Sequence, residues 1–147
     1  MSTGRLLTLT LLFLYSVTGL AQQQLKKIYL DPDNSFSAYF SAAIQKKQVP
    51  VTVTVDPKQA DYTAQFQAKD KNGSVLEGIL SSLGKGNYDT RSVNEVVMTI
   101  VDEKTKDVLF SYTCTKTSQY QNNSSALSTS VAECLAKHWK DSLQKQR

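Results

Sequence analysis

Cys134 and His138 stand four residues apart in the last third of the chain, and of all its side chains these two are best placed to do chemistry. On a helix that spacing puts a thiol and an imidazole on one face, the pairing that an activated thiolate nucleophile needs. The same pair would supply two of the four ligands that a structural zinc ion takes. Neither reading extends further. His138 is the only histidine, no other zinc ligand stands locally beside the pair, and no oxyanion-hole motif or orienting residue follows. The second cysteine, Cys114, offers Cys134 a different fate. In an oxidising compartment an even pair in a small domain is often a disulfide, here closing a loop of about 20 residues. Two buried thiols packing as small apolar side chains are the alternative. His138, beside Trp139, is then expected as a half-buried structural side chain.

The other clusters carry less. Gly84-Lys85-Gly86 suggests a phosphate loop, but Gly78 is at the wrong spacing and no Ser or Thr follows the lysine, so a turn is the better reading. Asp31 and Asp33 flank Pro32, and helix capping by Asp33 accounts for them without a metal. Asp102 and Glu103 are expected at a solvated hairpin tip. Asn72-Gly73-Ser74, Asn122-Asn123-Ser124 and Asn123-Ser124-Ser125 are glycosylation sequons that matter only in a eukaryotic source. No catalytic residue, metal site or cofactor is assigned.

The polar and apolar runs organise what remains. Arg5, the apolar stretch from Leu6 to Leu14 and the small-x-small Gly19-Leu20-Ala21 read as a cleavable signal peptide over residues 1–21, with the mature chain beginning at Gln22. A membrane anchor is the alternative, but Leu6 to Leu20 falls short of the roughly 20 apolar residues that span a bilayer. No cysteine stands at the cleavage site to take a lipid, and no second segment has membrane-spanning length. Lys and Arg number 17 against 13 Asp and Glu and are spread along the chain, so the gathered basic patch of a nucleic-acid binder is missing.

Residues 22–147 then form a single domain. Leu25 to Leu30 is a short strand stopped by Asp31-Pro32. Asp33, Asn34 and Ser35 are candidate N-caps for a helix whose stripe is Phe36, Tyr39, Phe40, Ala43 and Ile44, with Lys46 and Lys47 in its last turn. Val51, Val53 and Val55 alternate with threonines, as do Tyr62, Ala64, Phe66 and Ala68 with polar residues, each the pattern of a half-buried strand. Asn72-Gly73 marks a turn. Val96 to Asp102 and Asp107 to Lys116 make a hairpin, with Val108, Phe110, Tyr112 and Cys114 on one face of the second arm. Leu127, Val131, Cys134, Leu135, His138 and Leu143 line a closing helix. Between them, Val75, Leu76, Ile79, Leu80 and Leu83 suit either a cover for a sheet edge or a surface for a partner, and Gly78, Gly84 and Gly86 argue for a loop. Two amphipathic helices and a mainly antiparallel sheet, in the order β-α-β-β-(loop)-β-β-α, bury one another as an α+β two-layer sandwich.

The run Phe36 to Lys47, Val49-Pro50-Val51 to Asp56, Ala60-Asp61-Tyr62, the hairpin from Val101-Asp102 to Phe110, and Ala132-Glu133-Cys134 to His138 resemble small secreted bacterial proteins of uncharacterised function. More distantly the layout looks like the periplasmic domain of curli-secretion lipoproteins of the CsgG type, the activators of penicillin-binding proteins, and the amino-terminal domain of TolB. The resemblance implies a fold, a periplasmic or secreted setting, and action by protein contact, with no catalytic residue carried over. Unlike many of those relatives, this chain lacks a lipid-accepting cysteine and the long hairpins of a secretion pore. The expectation is a non-enzymatic envelope domain that meets an envelope protein or itself. The competing expectation is a binder of a small ligand or cell-wall fragment, its pocket between the sheet and the loop from Val75 to Ser92, with Tyr88 and Arg91 as polar handles.

Overall fold

The computed structural model describes residues 24–77, 80, 93–115 and 124–146. The leader, Ile79, Leu83, Tyr88 and Arg91 lie outside the described residues. Within them the chain runs β1 (Lys26–Tyr29), α1 (Ser35–Lys47), β2 (Val51–Thr54), a 3-10 turn (Pro57–Gln59), β3 (Tyr62–Lys69), β4 (Glu95–Asp102), β5 (Val108–Thr115) and α2 (Ser124–Lys145). The five strands form one sheet in the order β2-β1-β3-β4-β5. This is the expected α+β sandwich. The sheet is mixed and mainly antiparallel by paired residues: β1 pairs parallel with both β2 and β3 along short ladders, and the longer β3–β4 and β4–β5 ladders are antiparallel.

The parallel half follows from the connections. A helix between two adjacent strands returns the chain to the starting end, so β1-α1-β2 is a parallel pair. The 3-10 turn then carries the chain back across β1, where Lys27 Nζ donates to Gln59 Oε1 at 3.2 Å and Asp61 N donates to Lys27 O at 2.8 Å. Two of the three prolines flank β2, Pro50 before it and Pro57 after it, where a ladder must stop. The start of α1 is set by Asn34, whose side chain accepts from Phe36 N at 3.1 Å. Asn34 is one of the three candidate caps; of the others, Asp33 donates its own amide to Asp31 Oδ1 within the preceding turn. Gln48 closes the helix in the left-handed region (φ 54°), its amide directed at the carbonyls of Ile44 and Gln45.

One continuous core fills the space between helices and sheet. Strand alternation sends Ile28, Val51, Ala64, Ala68, Val96, Met98 and Ile100 inward, against Phe36, Phe40 and Ile44 of α1 and Leu127, Leu135 and Trp139 of α2. Phe66 of β3 meets the rings of both Phe36 and Phe40 edge-on, each at 5.0 Å between centroids. Trp139 stacks on Phe40 and is buried, although the inward stripe read from the sequence passed beside it. The reason is that α2 buries two faces, one on the sheet and one on α1. Ala132 and Ala136 are fully buried, and such small side chains let two helices approach closely. Lys46 and Lys47 reach across to Glu133 at 2.5 and 3.0 Å, and Lys140 Nζ caps the Lys47 carbonyl at 2.8 Å.

Candidate functional site

The helix α2 carries both residues of the thiol–imidazole pair, and the structure separates their roles. Cys134 is joined to Cys114 of β5 by a disulfide, with 6.4 Å between the Cα atoms. A sulfur held in that bond is neither nucleophile nor metal ligand. His138, one turn further on, lies over Tyr112 with ring centroids 3.9 Å apart and planes 17° from parallel. Phe110 continues the row, 6.2 Å from Tyr112 and 11° from parallel. α2 therefore runs against the direction of β5: Cys134 sits at Cys114, His138 at Tyr112, and Asp141, Ser142 and Lys145 border a groove of about 530 Å³ at Phe110. The three rings are half-buried, so the groove opens at the sheet's edge.

That edge is β5 itself. It pairs with β4 on one side, and among the described residues nothing pairs with the other, which leaves a row of backbone donors and acceptors along eight residues. The register gives Ile100 opposite Phe110 but Val101 opposite Val108, so Leu109 is an extra residue in a bulge. The bulge breaks the alternation expected along this arm. Val108, read as sharing a face with Phe110, is 61% exposed, and Leu109 beside it is 45% exposed. A one-residue insertion in a bulge leaves no mark on an alternating pattern this short, so nothing in the residue order marked it.

The segment singled out for contact behaves differently. Leu80 is 4% exposed, in the core, and its carbonyl accepts from Ser35 Oγ at 3.1 Å. Leu76 is half-buried against the core and donates its amide to Ala68 O at 2.8 Å. Of the three described side chains only Val75 is exposed, so the described part covers the sheet rather than presenting a surface. Beside it, a hollow of about 270 Å³ is bordered by Asn34, Phe66, Gln67 and Leu80, in the place expected for a ligand pocket.

Charged groups gather at the opposite end of the sheet. Asp61 accepts from the Lys27 amide at 2.9 Å and pairs with Lys26 at 3.6 Å, and the amide donation together with the nearby lysine charge holds its carboxyl below the usual range. Glu103 accepts from Lys106 and from Thr63, which lower it likewise, and its own amide donates to Asp61 O. Asp102 is lowered by the amides of Thr105 and Lys104. Of the two acids expected at a solvated tip, Glu103 ties the hairpin to β3, while Asp102 closes the hairpin's own turn. Among the described residues no three His, Cys, Asp or Glu come together as a metal site would require, and no helix is long and apolar enough to cross a membrane.

No family model, curated protein or solved structure matches the chain.

Proposed function

We propose that this chain is a secreted or periplasmic interaction module rather than an enzyme, exported by its leader, and that it acts by adding a strand of a partner to the free edge of β5. One observation carries the reading: β5 is eight residues long, has no lysine, proline or any charge between Val108 and Thr115, and exposes Val108 and Leu109. Natural sheets usually blunt such an edge with charges, prolines or short strands, because it templates pairing. The disulfide between Cys114 and Cys134 supports the extracytoplasmic setting, since such bonds persist in oxidising compartments. Main-chain bonds to the edge give affinity, and side chains at alternate positions give selectivity.

The test replaces exposed Ser111, at the middle of the strand, by lysine. Its side chain points away from the helices, so the fold tolerates the change while the edge gains a charge. Ser111→Lys is expected to lose, by tenfold or more, whatever the native chain captures from envelope extract, with circular dichroism and thermal midpoint unchanged. Equal capture by both forms would remove the edge from the account.

A second reading rests on the hollow beside Phe66 and Leu80, which fits a small ligand such as a cell-wall fragment. Saturable stabilisation of the chain by such fragments in a thermal-shift titration, lost in Gln67→Ala, is its expected mark.

A further inference from the structure

We infer that the partner at the β5 edge is a second copy of this chain, the two β5 strands pairing antiparallel about a two-fold axis at Ser111 to make one ten-stranded sheet. The inference rests on the edge reading above and goes further by naming the occupant.

The two edges of the sheet are treated differently. β2 is four residues long and flanked by Pro50 and Pro57, so it offers little to a visiting strand. β5 is twice that length, carries no charge or proline, and among the described residues is guarded only by the bulge at Leu109, at one end of the strand. A two-fold contact brings each residue of the strand opposite a residue of the same strand, so any charge within it would meet its like. Val108–Thr115 has none, which removes the usual obstacle to self-pairing.

The register centred on Ser111 also places the half-buried rings. Ser111 faces Ser111 of the second copy, and Phe110 faces Tyr112 of the second copy on the helix side, twice by symmetry. Aromatic cross-strand pairs of this kind stabilise a sheet by about 0.2–1 kcal/mol each. The groove of about 530 Å³ that opens beside these rings would be closed by its own symmetry mate. Because α2 runs against β5, with His138 level with Tyr112 and Asp141 level with Phe110, the same axis sets Asp141 level with His138 of the second copy. A carboxylate rather than a second imidazole therefore stands level with each His138 across the axis. A strand edge about 27 Å long is a narrow contact beside the roughly 1,200–2,000 Å² that stable interfaces bury. The dimer is accordingly expected to be concentration-dependent.

Sedimentation velocity of the oxidised chain, read across the micromolar range, tests this. The native chain is expected to shift from monomer to dimer mass as concentration rises. Ser111→Lys and Ser111→Glu should each stay monomeric, because two like charges then meet on the axis, and an equimolar mixture of the two should regain dimer mass. A native chain that is monomeric throughout overturns the inference, as does a dimer that Ser111→Lys leaves intact, or a mixture that stays monomeric. A monomeric native chain that still loses a captured partner through Ser111→Lys would overturn self-pairing and leave the edge reading standing.

Discussion

Sulfur chemistry at Cys134 is spent in its bond to Cys114, and the consequence is structural. The bond ties the far end of β5 to the middle of α2, so the edge strand cannot peel away without carrying the helix with it. Closing a loop of about 20 residues lowers the entropy of the unfolded chain, an effect on the order of 3 kcal/mol in the chain-entropy account. Replacing Cys114 and Cys134 together by Ala is expected to lower stability by about that amount, measured by urea denaturation. The native chain, unfolded without reductant, should show no reactive thiol; two reactive thiols would mean the bond is not made. Both cysteines stood on inward positions of their elements, so a meeting was legible in the sequence, while the choice between a bridge and two packed thiols was not. That choice depends on how α2 crosses β5, a long-range matter. The same holds for His138, whose place over Tyr112 depends on two elements that the residue order shows only separately.

Among the elements, α1 shows how periodicity becomes packing. Phe40 recurs with Phe36, Ala43 and Ile44 on one stripe, and the structure buries it completely between Phe66 of β3 and Trp139 of α2. Among the described residues it is the one side chain whose ring meets rings of both the sheet and the other helix. Phe40→Ala should therefore cost about 3–5 kcal/mol, seen as a fall in the urea midpoint, whereas Tyr39→Ala on the half-exposed flank should cost far less. Comparable losses at the two positions would show that the stripe is not seated as described. The strand β3 was readable because period-two alternation over eight residues matches a half-buried strand and mismatches the 3.6-residue turn of a helix, and β4 and β5 because two apolar-rich runs flank a short polar turn. The pairing of β1 and β2 was not. Four-residue strands with one buried face look the same whether their neighbours run with them or against them, and only the helix between them forces the parallel arrangement. Trp139 was hidden for a related reason: a helix buried on two sides has a wide apolar arc, and a single narrow stripe drawn through it misses one edge.

At the scale of the molecule, four carboxylates among the described residues share one bias. Asp61, Asp102, Glu103 and Glu133 are all held below the usual carboxylate range, the first by the Lys27 amide, the second by the amides of Thr105 and Lys104, the third by Lys106 and Thr63, and the fourth by Lys46 and Lys47. A carboxyl whose folded value is depressed binds fewer protons folded than unfolded at intermediate pH, so stability rises with pH there. The stabilisation is fully present above the unfolded values, roughly pH 4–4.5, and is lost as pH falls through the lower folded values. Three of the four lie at one end of the sheet, joining β1, β3 and the β4–β5 turn, and Glu133 joins the two helices. Acid therefore loosens the molecule at two separate places, between neighbouring strands of the sheet and between the two helices, while the apolar core and the disulfide stay intact. The thermal midpoint is expected to be nearly flat between about pH 5 and 8 and to fall modestly below about pH 4. Glu133→Gln should lower the midpoint modestly at neutral pH, because partly exposed ion pairs contribute only about 0.2–1 kcal/mol, and should flatten the fall below pH 4. Asp61→Asn should flatten it independently, since the two acids sit on different elements and share no partner. A native midpoint that does not move between pH 5 and 3, or an acid limb that neither variant changes, would show that these pairs do not hold the sandwich together.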